Sequence, residues 1–269
     1  MCVTFSRVEP HLGLLSRRRA GRHHTVDFRR RVKKQDEDFC ATQVLANKPL
    51  MTDRSRWLEE INRITSDGLV SRQRQLIRPS QVLENVILSD ICIILVRTAI
   101  PSSAGSTARS MSNFECEDLR LVRPQCDVRV RSGMNTAKGG QFVMHQSRQY
   151  DSLADALSDC TLTIGFHRWV AEDPGSVLGI GALLRSTTVV QHRRTGDRVT
   201  GPLVPKQLGG RGGKIALVFG SEASGFEDAE LAQCDVLCSI PCGRLNESLS
   251  LAHAATSVLA RLFEHRTLG

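Results

Sequence analysis

Apolar and polar positions alternate between strand-sized and helix-sized patterns from about residue 83 to the C-terminus. Continuous apolar runs, typical of buried parallel strands, predict strands at Ile91–Arg97, Leu119–Arg123, Thr161–Gly165, Ile215–Phe219 and Val236–Ile240. Helical spacing and capping residues predict helices at Ser103–Phe114, from Ser152 to about Asp159, at Asp228–Gln233 and from near Ser248 onward, the last with Ala252, Ala255, Leu259 and Leu262 on one face. This alternation predicts an α/β domain with a parallel sheet over residues 83–269.

The remaining segments carry weaker patterns. Residues 1–50 show no sustained period and are predicted to be a poorly structured basic extension. Residues 51–82 are predicted to hold a helix from Asp53 followed by a polar linker, and Met1 and Met51 both stay open as the start of the protein. Residues 170–213, rich in Gly, Arg and Thr, are expected to be irregular or inserted.

The net charge of +8 lies entirely near the N-terminus. Residues 1–34 hold 10 Lys and Arg against 2 acids, whereas the rest of the chain is balanced. An Arg-rich, acid-poor segment is typical of mitochondrial or plastid targeting, which is our expectation for it. Two alternatives are a basic arm that binds RNA phosphates and a solvated tail, in a cytoplasmic or nuclear protein.

Composition excludes several classes of function. No run of about 18 apolar residues occurs, so we expect no membrane partner. Aromatic residues make up 4% of the chain, which argues against a base-stacking sheet. The nine cysteines include no Cys-x-x-Cys pair, so we predict reduced thiols and no metal site. The glycine-rich stretch Gly209–Lys214 precedes a strand instead of following one, which excludes a phosphate loop, and no dinucleotide fingerprint follows the first strand.

Three motifs in order carry a more specific signal. The first is Pro101-Ser-Ser-Ala-Gly-Ser-Thr-Ala-Arg109-Ser-Met111, directly after the first strand. The second, Leu217-Val-Phe-Gly-Ser-Glu-Ala-Ser-Gly-Phe226, is a strand followed by a glycine-containing turn. The third, Ser239-Ile-Pro-Cys-Gly-Arg-Leu-Asn-Glu-Ser-Leu-Ser-Leu-Ala252, is a strand end, a loop and a helix start. Together they resemble the three motifs of the SpoU family of SPOUT-class RNA methyltransferases.

The resemblance implies a fold and an activity. The fold is an α/β sheet whose C-terminal segment is threaded through a deep trefoil knot, an exception to the rule that chains are unknotted. The activity is transfer of a methyl group from S-adenosylmethionine to a ribose 2′-hydroxyl in tRNA or rRNA. The resemblance also implies a homodimer whose active site both subunits complete.

The matching positions imply site residues. Arg109, Glu222 and Ser248 are the predicted catalytic residues, Arg109 by clamping phosphate or polarising the hydroxyl. The predicted cofactor-binding residues are Gly165, Phe166, Gly220, Ile240, Ser248, Leu249 and Ser250. Gly220 is assigned because glycine permits close approach of the backbone to a ligand.

Two positions depart from the family pattern. Ser103 and Ser250 stand where the motifs have asparagine. A serine hydroxyl has one donor and a shorter reach than an amide, so it cannot reproduce a two-ended amide bridge. The alternative function is therefore a catalytically weakened member of the fold that serves as an RNA-binding or assembly protein.

Overall fold

Seven strands form one parallel sheet in the computed structural model, which describes residues 80, 86–169, 174–206 and 213–268. The strands are β1 (Ile91–Val96), β2 (Asp118–Val122), β3 (Arg148–Tyr150), β4 (Cys160–Phe166), β5 (Ser176–Leu178), β8 (Lys214–Phe219) and β9 (Val236–Ser239), in the spatial order β3-β2-β1-β8-β4-β9-β5. Two further strands, β6 (Val189–Gln191) and β7 (Arg198–Thr200), pair as a separate antiparallel hairpin. The extension, helix and linker predicted for residues 1–82 lie outside the described residues, save Ser80.

Seven helices lie between or after these strands within the described residues. They are α1 (Pro101–Asn113), α2 (Arg131–Thr136), α3 (Gln141–Gln146), α4 (Leu153–Ala156), α5 (Ile180–Leu184), α6 (Asp228–Leu231) and α7 (Leu251–Thr267). Ser152 caps α4 by accepting the backbone N–H of Asp155, as its capping-box sequence predicts. Pro101 begins α1 at a position where the missing N–H costs nothing.

The apolar run of β1 is explained by its place at the middle of the sheet. Its six residues are all buried, and it pairs in parallel with β2 on one side and β8 on the other. Ile91, Ile93 and Leu95 face one core, whereas Cys92, Ile94 and Val96 face the other. Helices cover both faces, so neither set of side chains alternates with polar residues.

Helices α1 and α7 pack together over the larger core. The rings of Phe114 and Phe263 lie 5.8 Å apart between centroids. The hydroxyls of Ser110 and Thr256 are joined by a hydrogen bond of 2.6 Å. Leu259 and Leu262 of α7 are fully buried, as its helical stripe predicts, whereas Ala252 is half-buried.

The parallel α/β sheet is confirmed, with element ends shifted by one to three residues. The prediction for 170–213 was incomplete, because β5 adds to the main sheet beside β9 and α5, β6 and β7 also fall in this segment. Helices α2 and α3 and strand β3 were not predicted. The knotted threading of the C-terminal segment stays a prediction.

The described cysteines are free thiols, and the described helices include none long and apolar enough to cross a membrane. Cys238 lies in β9 and is fully buried, as predicted. Burial raises the pKa of its thiol to about 12, so it stays protonated and behaves as an apolar core residue.

Candidate active site

Four loops meet at the carboxyl edge of the sheet. Strands β1, β8, β4 and β9 are consecutive neighbours and parallel, so the segments that follow them leave the sheet on the same side. Open parallel sheets bind ligands at this edge. All three motifs found in the sequence contribute to it, because each one includes or directly follows the end of β1, β8 or β9.

A cavity of about 110 Å³ lies between the loops after β4 and β9 and the start of α7. Its lining residues are Phe166, His167, Arg168, Cys238, Ile240, Cys242, Glu247, Ser248, Leu249 and Ala254. The mixture of apolar walls with a few polar groups is typical of small-molecule sites.

The cavity combines a fixed aromatic wall with unpaired backbone groups. Phe166 stacks on Phe219 with centroids 4.9 Å apart and an interplanar angle of 10°. Opposite it, residues 240–249 make no backbone–backbone hydrogen bond with any described residue. The Ser248 N–H donates to the Asn246 Oδ1 atom at 3.4 Å, and the Ile240 carbonyl accepts from the Cys242 thiol at 3.3 Å. The other N–H and C=O groups of this segment are available to the edges of a ligand such as an adenine and its ribose.

Four of the predicted cofactor-binding residues line this cavity: Phe166, Ile240, Ser248 and Leu249. Gly165 lies outside the lining, packed against Leu237 of β9 and against Cys234, which lies between α6 and β9. A Cβ atom at Gly165 would sit 2.6 Å from the Sγ of Cys234, so this glycine is explained by core packing.

Gly220 and Ser250 also lie outside the cavity lining. The backbone at Gly220 approaches the turn that follows it, where a Cβ would lie 2.5 Å from the carbonyl carbon of Gly225. Ser221 and Gly225 exchange two backbone hydrogen bonds across this turn, of 3.0 and 2.9 Å. Close approach of backbone explains Gly220, but in this structure it approaches the chain itself.

Glu222 connects the second motif to the first. Its half-buried carboxylate accepts hydrogen bonds from the Thr98 hydroxyl at 2.7 Å and from the Ala99 N–H at 3.1 Å. Thr98 and Ala99 lie between the end of β1 and the start of α1. The structure therefore places Glu222 where it positions the helix that carries Arg109.

A buried ion pair holds the same two segments together. Arg97, directly after β1, makes a two-ended contact of 2.9 and 2.9 Å with Glu230 of α6 and also donates to the Gly225 carbonyl at 3.0 Å. Burial disfavours the ionised form of Glu230, yet the hydrogen bonds and charges of Arg97, with the charge of Arg123, lower its pKa below the ordinary value. Arg97 and Arg123 adopt left-handed φ values of 53° and 45°, which are uncommon for residues other than glycine.

Arg109 lies in a polar groove beside the cavity. The groove runs between α1, the end of α2 and the start of α7, and its lining includes Ser103, Arg109, Ser250 and His253. The Arg109 side chain is exposed and its guanidinium has no hydrogen-bond or ion-pair partner among the described residues. The first turn of α7 separates the groove from the cavity, because Ala254 lines the cavity and His253 lines the groove.

Ser250 is the N-cap of α7. Its hydroxyl accepts the backbone N–H of His253 at 3.4 Å and lies 3.0 Å from the Nδ1 atom of the same residue. The departure from asparagine thus leaves a capping residue that pairs with an imidazole in the groove.

Sequence reasoning did not identify Arg97, Thr98, Glu230 or His253 as site residues. Three of them could have been found from their positions in the sequence. Arg97 and Thr98 directly follow a buried strand, where α/β sheets place ligands, and Glu230 is the last residue of the capping box Glu227-x-x-Glu230. His253 had no such signal. Among the described residues no group of three His, Cys, Asp or Glu side chains is placed to hold a metal ion.

Known proteins similar to this chain match it over the α/β part. A Haemophilus influenzae protein named "Uncharacterized tRNA/rRNA methyltransferase" is 30% identical over 174 residues, which cover 64% of this chain and 62% of that protein. A Pseudomonas aeruginosa protein named "tRNA (cytidine/uridine/adenosine-2'-O-)-methyltransferase TrmJ" is 29% identical over 179 residues, covering 64% and 60%. The chain thus spans about three fifths of the length of these relatives.

A solved structure shows the same architecture. The structure of a probable methylase family protein from Haemophilus influenzae superposes with a TM-score of 0.54 at 25% identity, covering 66% of this chain and 67% of that one. This chain is therefore similar to that protein in three-dimensional fold as well as in sequence.

The family model described as SpoU rRNA Methylase matches residues 90–260. The match begins at β1 and ends within α7, so it contains the cavity, the groove and all three motifs. Because it covers well over half of the chain and agrees with the motifs, the chain belongs to the SpoU rRNA methylase family.

Proposed function

We propose that the protein transfers a methyl group from S-adenosylmethionine to a ribose 2′-hydroxyl of RNA, with tRNA or rRNA as the substrate. The observation that carries the proposal is the juxtaposition of the cavity lined by the third motif with the groove that presents Arg109. The names of the two relatives support RNA as the substrate class.

The residues of the cavity fit the cofactor. Phe166, Ile240 and Leu249 provide apolar surface for an adenine, and the backbone of residues 240–249, which makes no backbone–backbone hydrogen bond with a described residue, provides donors and acceptors for its edges. When bound, S-adenosylmethionine supplies an electrophilic methyl group attached to a sulfonium.

The chain's own part in the reaction is to orient and polarise the nucleophile. A ribose hydroxyl is a weak nucleophile, so its attack is favoured by a nearby positive charge and fixed geometry. The Arg109 guanidinium stays charged and would hold an RNA phosphate or polarise the 2′-hydroxyl from the groove. Glu222 and the Arg97–Glu230 pair act indirectly, by fixing the strand end from which α1 begins.

The oligomeric state and the location in the cell are also part of this proposal. The open groove between α1 and α7 is the face we assign to the second subunit of a homodimer that completes the active site. Residues 1–34 we assign to mitochondrial or plastid targeting, because they are Arg-rich and acid-poor. Expression of residues 1–50 fused to a fluorescent protein tests the second assignment, and a diffuse cytoplasmic or nuclear signal would contradict it.

The function is tested with purified full-length protein, labelled S-adenosylmethionine and unmodified tRNA and rRNA. We expect labelled 2′-O-methylribose in the RNA, and a loss of transfer by about 100- to 1,000-fold in Arg109→Ala with cofactor affinity retained. Arg109→Lys separates charge from the planar two-ended contact that only arginine makes. Tight cofactor binding without transfer would instead support the catalytically weakened RNA-binding alternative, and absence of cofactor binding would contradict both.

A further inference from the structure

Trp169 is the one exposed Phe, Tyr or Trp side chain among the described residues. It is 57% exposed, although large aromatic side chains are usually at least partly covered in folded proteins. It lies in the loop that follows β4 at the carboxyl edge, next to two residues, His167 and Arg168, that line the cavity. The exposed ring is therefore a neighbour of the proposed reaction site.

The backbone that carries Trp169 is held in place. The His167 N–H donates to the Cys238 carbonyl at 3.1 Å, and the Ser239 hydroxyl donates to the Arg168 carbonyl at 3.0 Å. The Nδ1 atom of His167 also contacts the Trp169 carbonyl. Three consecutive residues are thus tied to one another or to the end of β9, and the indole extends from a fixed support.

A positive charge accompanies the ring. The Arg168 guanidinium lies over the indole with its central carbon 5.3 Å from the ring centroid, a cation–π arrangement. Because the residue is 57% exposed, indole surface stays accessible to an incoming planar group. An aromatic face next to a guanidinium is the combination with which proteins bind unpaired nucleobases and their phosphates.

We propose that Trp169 and Arg168 form a binding site for an unpaired nucleobase of the substrate RNA. The base stacks on the open face of the indole while the Arg168 guanidinium contacts an adjacent phosphate. The site would hold a nucleotide near the target ribose and select loops over duplexes, because bases within a duplex are already stacked. This inference rests on the proposed function, since it takes RNA as the ligand.

The test uses the indole as its own reporter. The chain has two tryptophans, so a Trp57→Phe background leaves Trp169 as the single indole. This protein is titrated with an RNA hairpin that has an unpaired loop and, separately, with a fully paired duplex. We expect the hairpin to quench the Trp169 fluorescence and the duplex to leave it nearly unchanged.

Substitutions then measure the contribution of the ring. Trp169→Ala should weaken hairpin binding by about 5- to 100-fold, Trp169→Phe should retain most of the affinity, and neither should change the affinity for S-adenosylmethionine. Leu268→Ala, which removes an exposed apolar side chain at the end of α7, is the matched control and should have no effect.

Four outcomes would overturn the site. Hairpin binding that is equal in wild type and Trp169→Ala would do so while leaving the methyltransferase proposal intact. A fluorescence change that follows protein concentration without RNA would assign the ring to contact between copies of the chain. A loss of cofactor affinity in Trp169→Ala would show that the indole only shapes the cavity. If the wild type binds no RNA, this site and the proposed function fail together.

Discussion

The Glu222 carboxylate accepts a hydrogen bond of 2.7 Å from the hydroxyl of Thr98. The contact joins residues 124 positions apart in the chain and connects the turn after β8 to the loop before α1. A hydrogen bond to a charged group contributes about 1.5–3 kcal/mol, more than one between neutral groups. Through this hydrogen bond, the second motif fixes the loop from which the helix that carries Arg109 begins.

We predict that Glu222 and Thr98 are energetically coupled. Glu222→Ala and Thr98→Val should each lower the free energy of unfolding, and the double variant should cost about 1 kcal/mol less than the sum of the two. Urea unfolding of the four proteins measures the coupling. Additive effects of the two substitutions would contradict the energetic coupling. If Glu222→Ala instead abolishes methyl transfer at unchanged stability, Glu222 takes part in the chemistry.

The second prediction concerns the Arg97–Glu230 pair, whose side chains are 12% and 2% exposed. Glu230→Gln removes the buried charged partner of the Arg97 guanidinium and leaves only the exposed Glu227 carboxylate, 3.3 Å away. The loss should therefore be at most the roughly 3–5 kcal/mol of a buried pair that loses one partner. Glu227→Gln is the matched control, because that carboxylate is 55% exposed and should contribute less than about 1 kcal/mol. Urea unfolding near neutral pH checks both values.

The same pair predicts a dependence on pH. Because the folded-state pKa of Glu230 is lowered, its contribution is present above the unfolded-state value of about 4.3 and is lost as the pH falls through the folded-state pKa. The stability difference between wild type and Glu230→Gln should therefore shrink as the pH falls below about 4. A difference that stays constant across this interval would show that shape, and not charge, stabilises the contact.

The central strands could be predicted because their environment leaves a continuous apolar signature. Strand β1 is paired on both sides and covered on both faces, so all six of its residues are apolar. Strand β5 could not be predicted in this way. It has three residues at the edge of the sheet, and Leu178 on it is 67% exposed, so only its pairing with β9 defines it.

The segment between β2 and β3 illustrates the same limit for helices. Helix α2 has six residues, of which only Gly133 is buried. A Cβ at Gly133 would lie 2.0 Å from the Val128 carbonyl oxygen. The position of α2 is therefore determined by close backbone packing, which leaves no helical periodicity in the sequence. In the site, the family resemblance implied four residues that line the cavity, namely Phe166, Ile240, Ser248 and Leu249. The separation of Arg109 into a neighbouring groove depends instead on the packing of α1 on α7.

Gly220 gives the third prediction. Gly220→Ala would place a methyl group against the backbone of Gly225, which cannot move without opening the turn. We expect a loss of about 1–3 kcal/mol, which lowers the melting temperature by several degrees. Gly243→Ala is the control, since no atom lies within 4 Å of the added Cβ there. Equal melting temperatures for the two variants would show that the turn is not closely packed.

The last prediction concerns Ser250, where the family motif has asparagine. Ser250→Ala removes the N-cap of α7 and should cost about 1 kcal/mol in unfolding free energy, whereas Ser250→Asn keeps a capping side chain and should be nearly neutral. Asparagine also supplies an amide donor and acceptor to the groove that holds Arg109. We therefore expect Ser250→Asn, alone and with Ser103→Asn, to raise the rate of methyl transfer at unchanged cofactor affinity.

Ser158→Asn, an exposed substitution outside the groove and cavity linings, controls for a general effect of asparagine. Rates are compared under single turnover with saturating cofactor, so that binding does not limit transfer. A rate that falls in Ser250→Asn would indicate that the contact between the Ser250 hydroxyl and the His253 Nδ1 atom, 3.0 Å long, takes part in the reaction. In that case the pairing of serine with histidine replaces the motif asparagine, and His253→Ala should lower transfer to the same extent as Ser250→Asn.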